Sequence, residues 1–176
     1  MTSRGTRFAY ESSWGTGVPT TLNGFGSQLN VANWFTVSEA GFIVGMRYYR
    51  QTDDDGEHYG QIRLESDNSP LGVCTFKKKP AVGSSADGWQ HAYFRPRIRI
   101  SSGTMYYACV FFSRRRFRLT PSVLGSPITT GRITVGADTS AHWNGAFGGG
   151  ISLLNTHDAQ TRYGVDILYL SDTALA

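Results

Sequence analysis

Phe42-Ile43-Val44-Gly45-Met46-Arg47-Tyr48-Tyr49-Arg50 is the stretch on which the fold class turns. Turn formers close it on both sides, Glu39-Ala40-Gly41 before it and Asp53-Asp54-Asp55-Gly56 after it. Side chains alternate along an extended chain. Ile43, Gly45, Arg47 and Tyr49 therefore share one face, and Phe42, Val44, Met46 and Tyr48 the other. The second set is wholly apolar and is expected to face a core. The same pattern recurs outward from this stretch. Trp34, Phe35 and Val37 read as a strand beginning near Asn33, and Tyr59–Glu65 reads as another, with Ile62 and Leu64 inward. Leu71–Phe76 and Trp89–Phe94 follow, the latter closed by Arg95-Pro96. Ile98 and Ile100 alternate with Arg97 and Arg99, and Met105–Phe112 is apolar enough for a central strand. Arg116–Leu119, Ile133 with Val135, and Ile151 with Leu153 read as shorter strands, and Tyr163–Leu170 closes the domain. No apolar spacing of helical period is sustained. Short strands separated by turns every 8–12 residues or so imply an all-β chain, an antiparallel β-sandwich of jelly-roll-like form.

Composition agrees. A chain of 176 residues is long enough for one domain with a single core. Charged residues are 17% and aromatics 13%, with 21 glycines, which excludes a coiled coil, a helical bundle and a disordered chain. Residues 1–30 are polar and Gly-rich but carry Phe8, Tyr10 and Trp14. A solvated tail seldom holds three aromatics, so 1–30 is read as an arm that touches its own domain or a neighbour. Residues 31–176 are the sandwich, and deletion of 1–30 is expected to spare it. No run approaches the ~20 apolar residues of a membrane-spanning helix, so no membrane insertion is expected. Arg4 and Arg7 are followed by no apolar segment of a secretory signal, so synthesis in a cytoplasm is expected. Cys74 and Cys109 sit in apolar runs and are expected to be buried free thiols. A zinc site would need two more ligands at short spacing.

A series of short motifs runs in order along the chain: Phe35-Thr36; Gly41-Phe42-Ile43-Val44-Gly45-Met46-Arg47-Tyr48-Tyr49; Gly56-Glu57-His58; Leu71-Gly72; Gly88-Trp89-Gln90. Pro96-Arg97-Ile98-Arg99-Ile100, Ser102-Gly103-Thr104-Met105-Tyr106-Tyr107 and Tyr163-Gly164-Val165-Asp166 complete it. Together they resemble the DUF4082 family over some 130 residues. That family is similar to carbohydrate-binding β-sandwiches, and its members are often attached to secreted, surface or sugar-active proteins. It brings no established catalytic residues. Arg63 stands where a tryptophan is usual, no signal segment or attached enzyme is expected, and an aromatic arm precedes the domain. These departures resemble a bacteriophage virion protein more than a secreted module.

Three constellations are candidates for function. Residues 77–118 hold ten basic residues against one acid, Asp87, a net of +9, while the rest of the chain nets −5. Arg114, Arg115, Arg116 and Arg118 are its densest part. They are read either as a docking surface for an acidic protein or polyanion, or as a solvated face whose arginines protect strand edges. Nucleic acid is not the expected partner, because no recognised nucleic-acid motif accompanies the charge. Asp53, Asp54, Asp55 and Glu57 surround Gly56. Clustered carboxylates can bind calcium, but the spacing of this run does not match a calcium loop, and a solvated turn is the expectation. His142-Trp143-Asn144 lies in a Gly-flanked loop. An exposed indole there is a platform for a sugar ring, with Asn144 for polar contacts, or else a cap on the sandwich or a subunit contact.

His58, His91, His142 and His157 are scattered, and no motif sets a base beside Ser or Cys, so no catalytic residue, metal or cofactor is assigned. The expected function is that of a non-catalytic phage virion protein, a minor tail or capsid decoration protein. It is expected to be oligomeric in the particle, to dock on other virion proteins and to touch host-surface glycan. The alternative is a free-standing carbohydrate-binding module, extracellular rather than on a virion.

Overall fold

The computed structural model describes residues 9–23, 28–51, 54, 56–77, 87–113, 117–149 and 156–175. Its strands, in chain order, are β1 (Thr21–Asn23), β2 (Leu29–Val37), β3 (Gly41–Arg50), β4 (His58–Leu64) and β5 (Pro70–Phe76). Then come β6 (Gly88–Ile100), β7 (Tyr106–Phe112), β8 (Phe117–Thr120), β9 (Ile128–Thr130) and β10 (Ile133–Val135). The last are β11 (Ala146–Gly148), β12 (Thr156–His157), β13 (Arg162–Tyr163) and β14 (Val165–Ser171), followed by a 3-10 turn at Thr173–Leu175. The chain is an antiparallel β-sandwich. One sheet runs β12-β11-β2-β7-β4-β5, and β10 pairs with β2 beyond β11 and carries β9. The facing sheet is β14-β3-β6, and a small third sheet, β1-β8-β13, touches β2 of one and β3 of the other.

Apolar residues of the two main sheets meet between them. Ile43, Met46, Tyr48, Ile98, Ile100 and Ile167 come from one sheet, and Val31, Phe35, Ile62, Phe76, Val110 and Phe112 from the other. At ~25 cal/mol per Å² removed from water, this burial is the main term holding the sheets together. β7 lies in the middle of its sheet, as its apolarity predicts. Leu64 is half-buried and packs against the core rather than within it.

The decisive stretch, β3, forms the expected strand but changes phase within it. Met46 and Tyr48 face the core as expected, yet upstream it is Ile43 that is fully buried, with Phe42 and Val44 half-buried. The cause is a bulge. Gly45 pairs with Leu168 and Ile43 with Tyr169, so Val44 has no opposite number on β14. On the other side Gly45 pairs with Tyr93 and Ile43 with Ile98, leaving Phe94–Arg97 looped across from Val44. One extra residue inverts the face of everything beyond it. The bulge also explains why two expected strands, divided at Arg95-Pro96, are one strand, β6. Pro96 lacks an amide donor and sits where the ladder is already open. Phe42, turned outward, is covered by the guanidinium groups of Arg97 and Arg99 at 4.0 and 4.9 Å from its ring centre.

β2 begins at Leu29, and β1 lies within the stretch read as an arm. The expected strands at Ile151 and Leu153 fall outside the described residues.

Candidate functional site

The loop between β10 and β11 carries the aromatic candidates and divides them by role. Asn144 is fully buried. Its Oδ1 accepts from Asn33 Nδ2 at 2.7 Å and from the Trp34 amide at 3.2 Å. Its Nδ2 donates to the carbonyls of Gly136 at 2.7 Å and Trp34 at 3.2 Å. Asn144 therefore ties the loop to β2 and has no atom left for a sugar, which corrects its reading as a ligand contact. Gly145 follows at φ +76°, where a Cβ would stand 2.5 Å from the Asp158 carbonyl and 2.7 Å from that of Thr161. Only glycine tolerates both the left-handed backbone and the close approach.

Trp143 is the exposed member, with 39% of its surface accessible. Its indole stacks on the His157 imidazole, centroids 4.6 Å apart and planes 18° apart. β12 places His157 there by pairing with β11. One indole face is thus covered by His157. Around it, His142 Nδ1 lies 3.1 Å from Glu65 Oε1, and Tyr107 donates to the Trp143 carbonyl at 3.4 Å. Burial, with the Glu65 carboxylate as a smaller cause, pushes the Tyr107 phenol up to about 12. His142 also sets its ring edgewise to Trp34, 6.2 Å away. Trp34 in turn packs over Gly136, where any Cβ would collide with its ring. The result is a part-exposed indole stacked on an imidazole, with the polar side chains of His142 and Tyr107 near it.

The basic candidates are described only in part. Arg114, Arg115 and Arg116 lie outside the described residues, as do Lys78 and Lys79. Arg118 is taken up within the fold: it pairs with Asp87 and lies 5.7 Å from the Tyr49 ring centre. Arg99 makes a bidentate pair with Asp172 at 2.5 and 2.7 Å.

The N-terminal aromatics divide in the same way. Phe8 lies outside the described residues and Tyr10 is 46% exposed. Trp14 packs in cis: its indole donates to the Val165 carbonyl at 3.2 Å, its ring meets Trp89 at 5.9 Å, and Arg162 covers it at 4.0 Å. The anchor is Asp166, 1% exposed. Its Oδ1 accepts from the Ser13 amide (2.8 Å) and hydroxyl (2.6 Å), and its Oδ2 from the Trp14 amide (3.2 Å) and Arg47 Nε (2.9 Å). Residues 11–14 are in this way clipped to β14 and β3 of the same chain.

The acidic turn is not simply solvated. Asp53 and Asp55 lie outside the described residues, but Asp54 is buried, with both carboxylate oxygens 2.8 Å from His58 Nε2. Tyr48 donates to Asp54 at 3.2 Å, and Arg50 donates to its carbonyl. Burial and the Asp54 charge push the Tyr48 phenol far above its ordinary value. The period of the sequence offered no signal for this cluster, because Asp54 precedes the strand that positions His58. Among the described residues no group of three His, Cys, Asp or Glu side chains is placed to hold a metal ion.

The family model described as a domain of unknown function, DUF4082, matches residues 16–165. The chain belongs to the DUF4082 family. No curated protein matches it. The motif residues that mark it as a DUF4082 domain prove largely architectural here. Gly56-Glu57-His58 delivers His58 to Asp54, Gly88-Trp89-Gln90 brings Trp89 against Trp14, and Tyr163-Gly164-Val165-Asp166 presents the clip for the N-terminal segment.

Proposed function

We propose that the chain acts by contact rather than by catalysis, as a glycan-touching component of a virion, a minor tail or capsid decoration protein. The observation that carries the contact is the indole of Trp143, stacked on His157 and 39% exposed. Such a surface offers an apolar plane to the C–H face of a pyranose, and His142 and Glu65 at its border can reach hydroxyls. The assembly side of the proposal rests on the charge split between residues 77–118 and the remainder, which suits docking on an acidic neighbour. A free-standing carbohydrate-binding module would use the same platform and differs only in setting.

A glycan array probed with the wild type and Trp143→Ala tests the platform. Specific binding that disappears in the variant is the expected result, and an array with no binding, or unchanged binding in the variant, removes the platform from the reading. The setting is tested by mass spectrometry of purified phage particles from the same genome. Presence of the chain at fixed stoichiometry supports the virion reading, and its absence from the particles overturns it.

A further inference from the structure

The outer face of the β14-β3-β6 sheet carries two rows of residues set by strand register. Asp166 pairs with Arg47 and Arg47 with His91. Two residues along, Leu168 pairs with Gly45 and Gly45 with Tyr93. Directly paired residues of antiparallel strands share a face. The clipped N-terminal segment lies over the Asp166 end of the first row. The second row has a glycine at its centre, over which the Tyr93 ring lies, its Cδ1 3.0 Å from where a Cβ would stand. Beside that ring is a cleft of about 470 Å³. Tyr10 and Glu11 of the N-terminal segment, His91 and Tyr93 of β6, and the β9–β10 turn at Thr130 and Gly131 border it. That volume lies within the roughly 300–1,000 Å³ of small-molecule sites.

The charges around this cleft are already spent. Arg47 gives Nε and Nη2 to Asp166 and Nη2 also to Ser12 Oγ and the Gly15 carbonyl. Glu11 gives one oxygen to Arg132 Nη1 at 2.6 Å and the other to the Arg132 amide at 2.7 Å. Two phenols and an imidazole remain, with Leu168 at the floor. Tyr10 is 46% and Tyr93 55% exposed, high values for tyrosines bordering one cleft. Partial burial, and secondarily the Arg47 charge, holds the His91 imidazole below its ordinary value, so near neutral pH it both donates and accepts. Aromatic planes with neutral hydrogen-bonding groups and internally paired charges match an uncharged polyhydroxyl ligand with an apolar face.

We propose that this cleft is a binding site for a neutral saccharide, with Tyr93 as the stacking surface and His91 and Tyr10 as hydrogen-bonding partners. The inference rests on the reading of the chain as a glycan-contacting protein, at a surface sharing no residue with the Trp143 platform. Tyr10 and Glu11 precede the family match and Leu168 follows it, so the cleft is completed by segments outside the matched residues.

Saturation-transfer NMR on the full chain tests it. The probes are neutral oligomers of glucose, galactose, mannose and N-acetylglucosamine, galacturonate oligomers, and a proline-rich peptide. Transfer to a neutral oligomer is expected, weakened about tenfold in Tyr93→Ala and retained in Trp143→Ala. Tyr93 is exposed, and unchanged amide shifts away from the cleft would show that its variant is folded; His91→Ala is a second variant with the same expected direction. Transfer only from galacturonate, only from the peptide, or from nothing overturns the proposal. So does neutral binding that survives Tyr93→Ala. Binding lost in Trp143→Ala but kept in Tyr93→Ala overturns the cleft and leaves the platform standing, and the reverse outcome does the opposite.

Discussion

Asn144 and Asp54 show how much a single buried polar side chain does in this sandwich. Asn144→Ala removes partners from Asn33, Trp34 and Gly136 at once, leaving buried donors and acceptors unsatisfied. It is expected to destabilise the domain by about 3 kcal/mol, read as a lower urea midpoint at unchanged slope. Asp54→Ala leaves His58 Nε2 and the Tyr48 hydroxyl without their buried partner and is expected to cost about 3 kcal/mol by the same measurement. Asp172→Ala, which breaks the half-exposed pair with Arg99, is expected to cost less than about 1 kcal/mol. The contrast is between polar groups that water can re-solvate and polar groups that it cannot reach. The thiols follow the same logic. Burial pushes Cys74 and Cys109 up to about 12, so both are expected to resist a thiol-specific reagent in the native state and to react together on unfolding.

Among elements, the N-terminal segment and the C-terminal turn are both held by carboxylates. Asp166→Asn weakens the clip on Ser13 and Trp14. Hydrogen exchange at those two amides is expected to rise, with β7 amides unchanged. The turn at Thr173–Leu175 hangs on Glu39, which accepts the Thr173 amide at 2.8 Å and the Thr173 hydroxyl. Those bonds, with the nearby Arg132, hold the Glu39 carboxyl below its ordinary value. A lowered carboxyl contributes stability that is present above its unfolded value, near 4.5, and is lost as pH falls through the folded value. The Thr173 amide resonance is expected to shift in that acid range and to stay constant in Glu39→Gln. The long strands were legible at this scale from alternation, whereas β1, β9, β11 and β12, two or three residues each, are too short to show a period. Strand phase was not: the Val44 bulge depends on what β14 and β6 place opposite, and nothing within Phe42–Arg50 announces it.

For the whole molecule, the boundary after residue 30 has a physical consequence. Deletion of 1–30 removes Leu29 and Asn30 from β2, where they pair with Phe112 and Phe111, and removes β1 entirely. It also uncovers Asp166. The truncated chain is expected to lose its cooperative thermal transition, whereas deletion of 1–8 is expected to keep it; circular dichroism melts distinguish the two.

The sequence by itself determined the fold class, the central place of β7, the family and the exposed indole of Trp143. These follow from period, composition and motif order, which are local properties of the chain. The tertiary structure decided which polar residues are architecture. Asn144 and Asp54 look alike in sequence to solvated loop residues, and Asp166 to any residue of the closing strand. Asn144 and Asp166 take their roles from partners as distant along the chain as Asn33 and Ser13, and Asp54 takes its role from Tyr48 and His58 on strands of different sheets. It also decided where the open surfaces lie, because a cleft between a docked N-terminal segment and a sheet face exists only when both are in place.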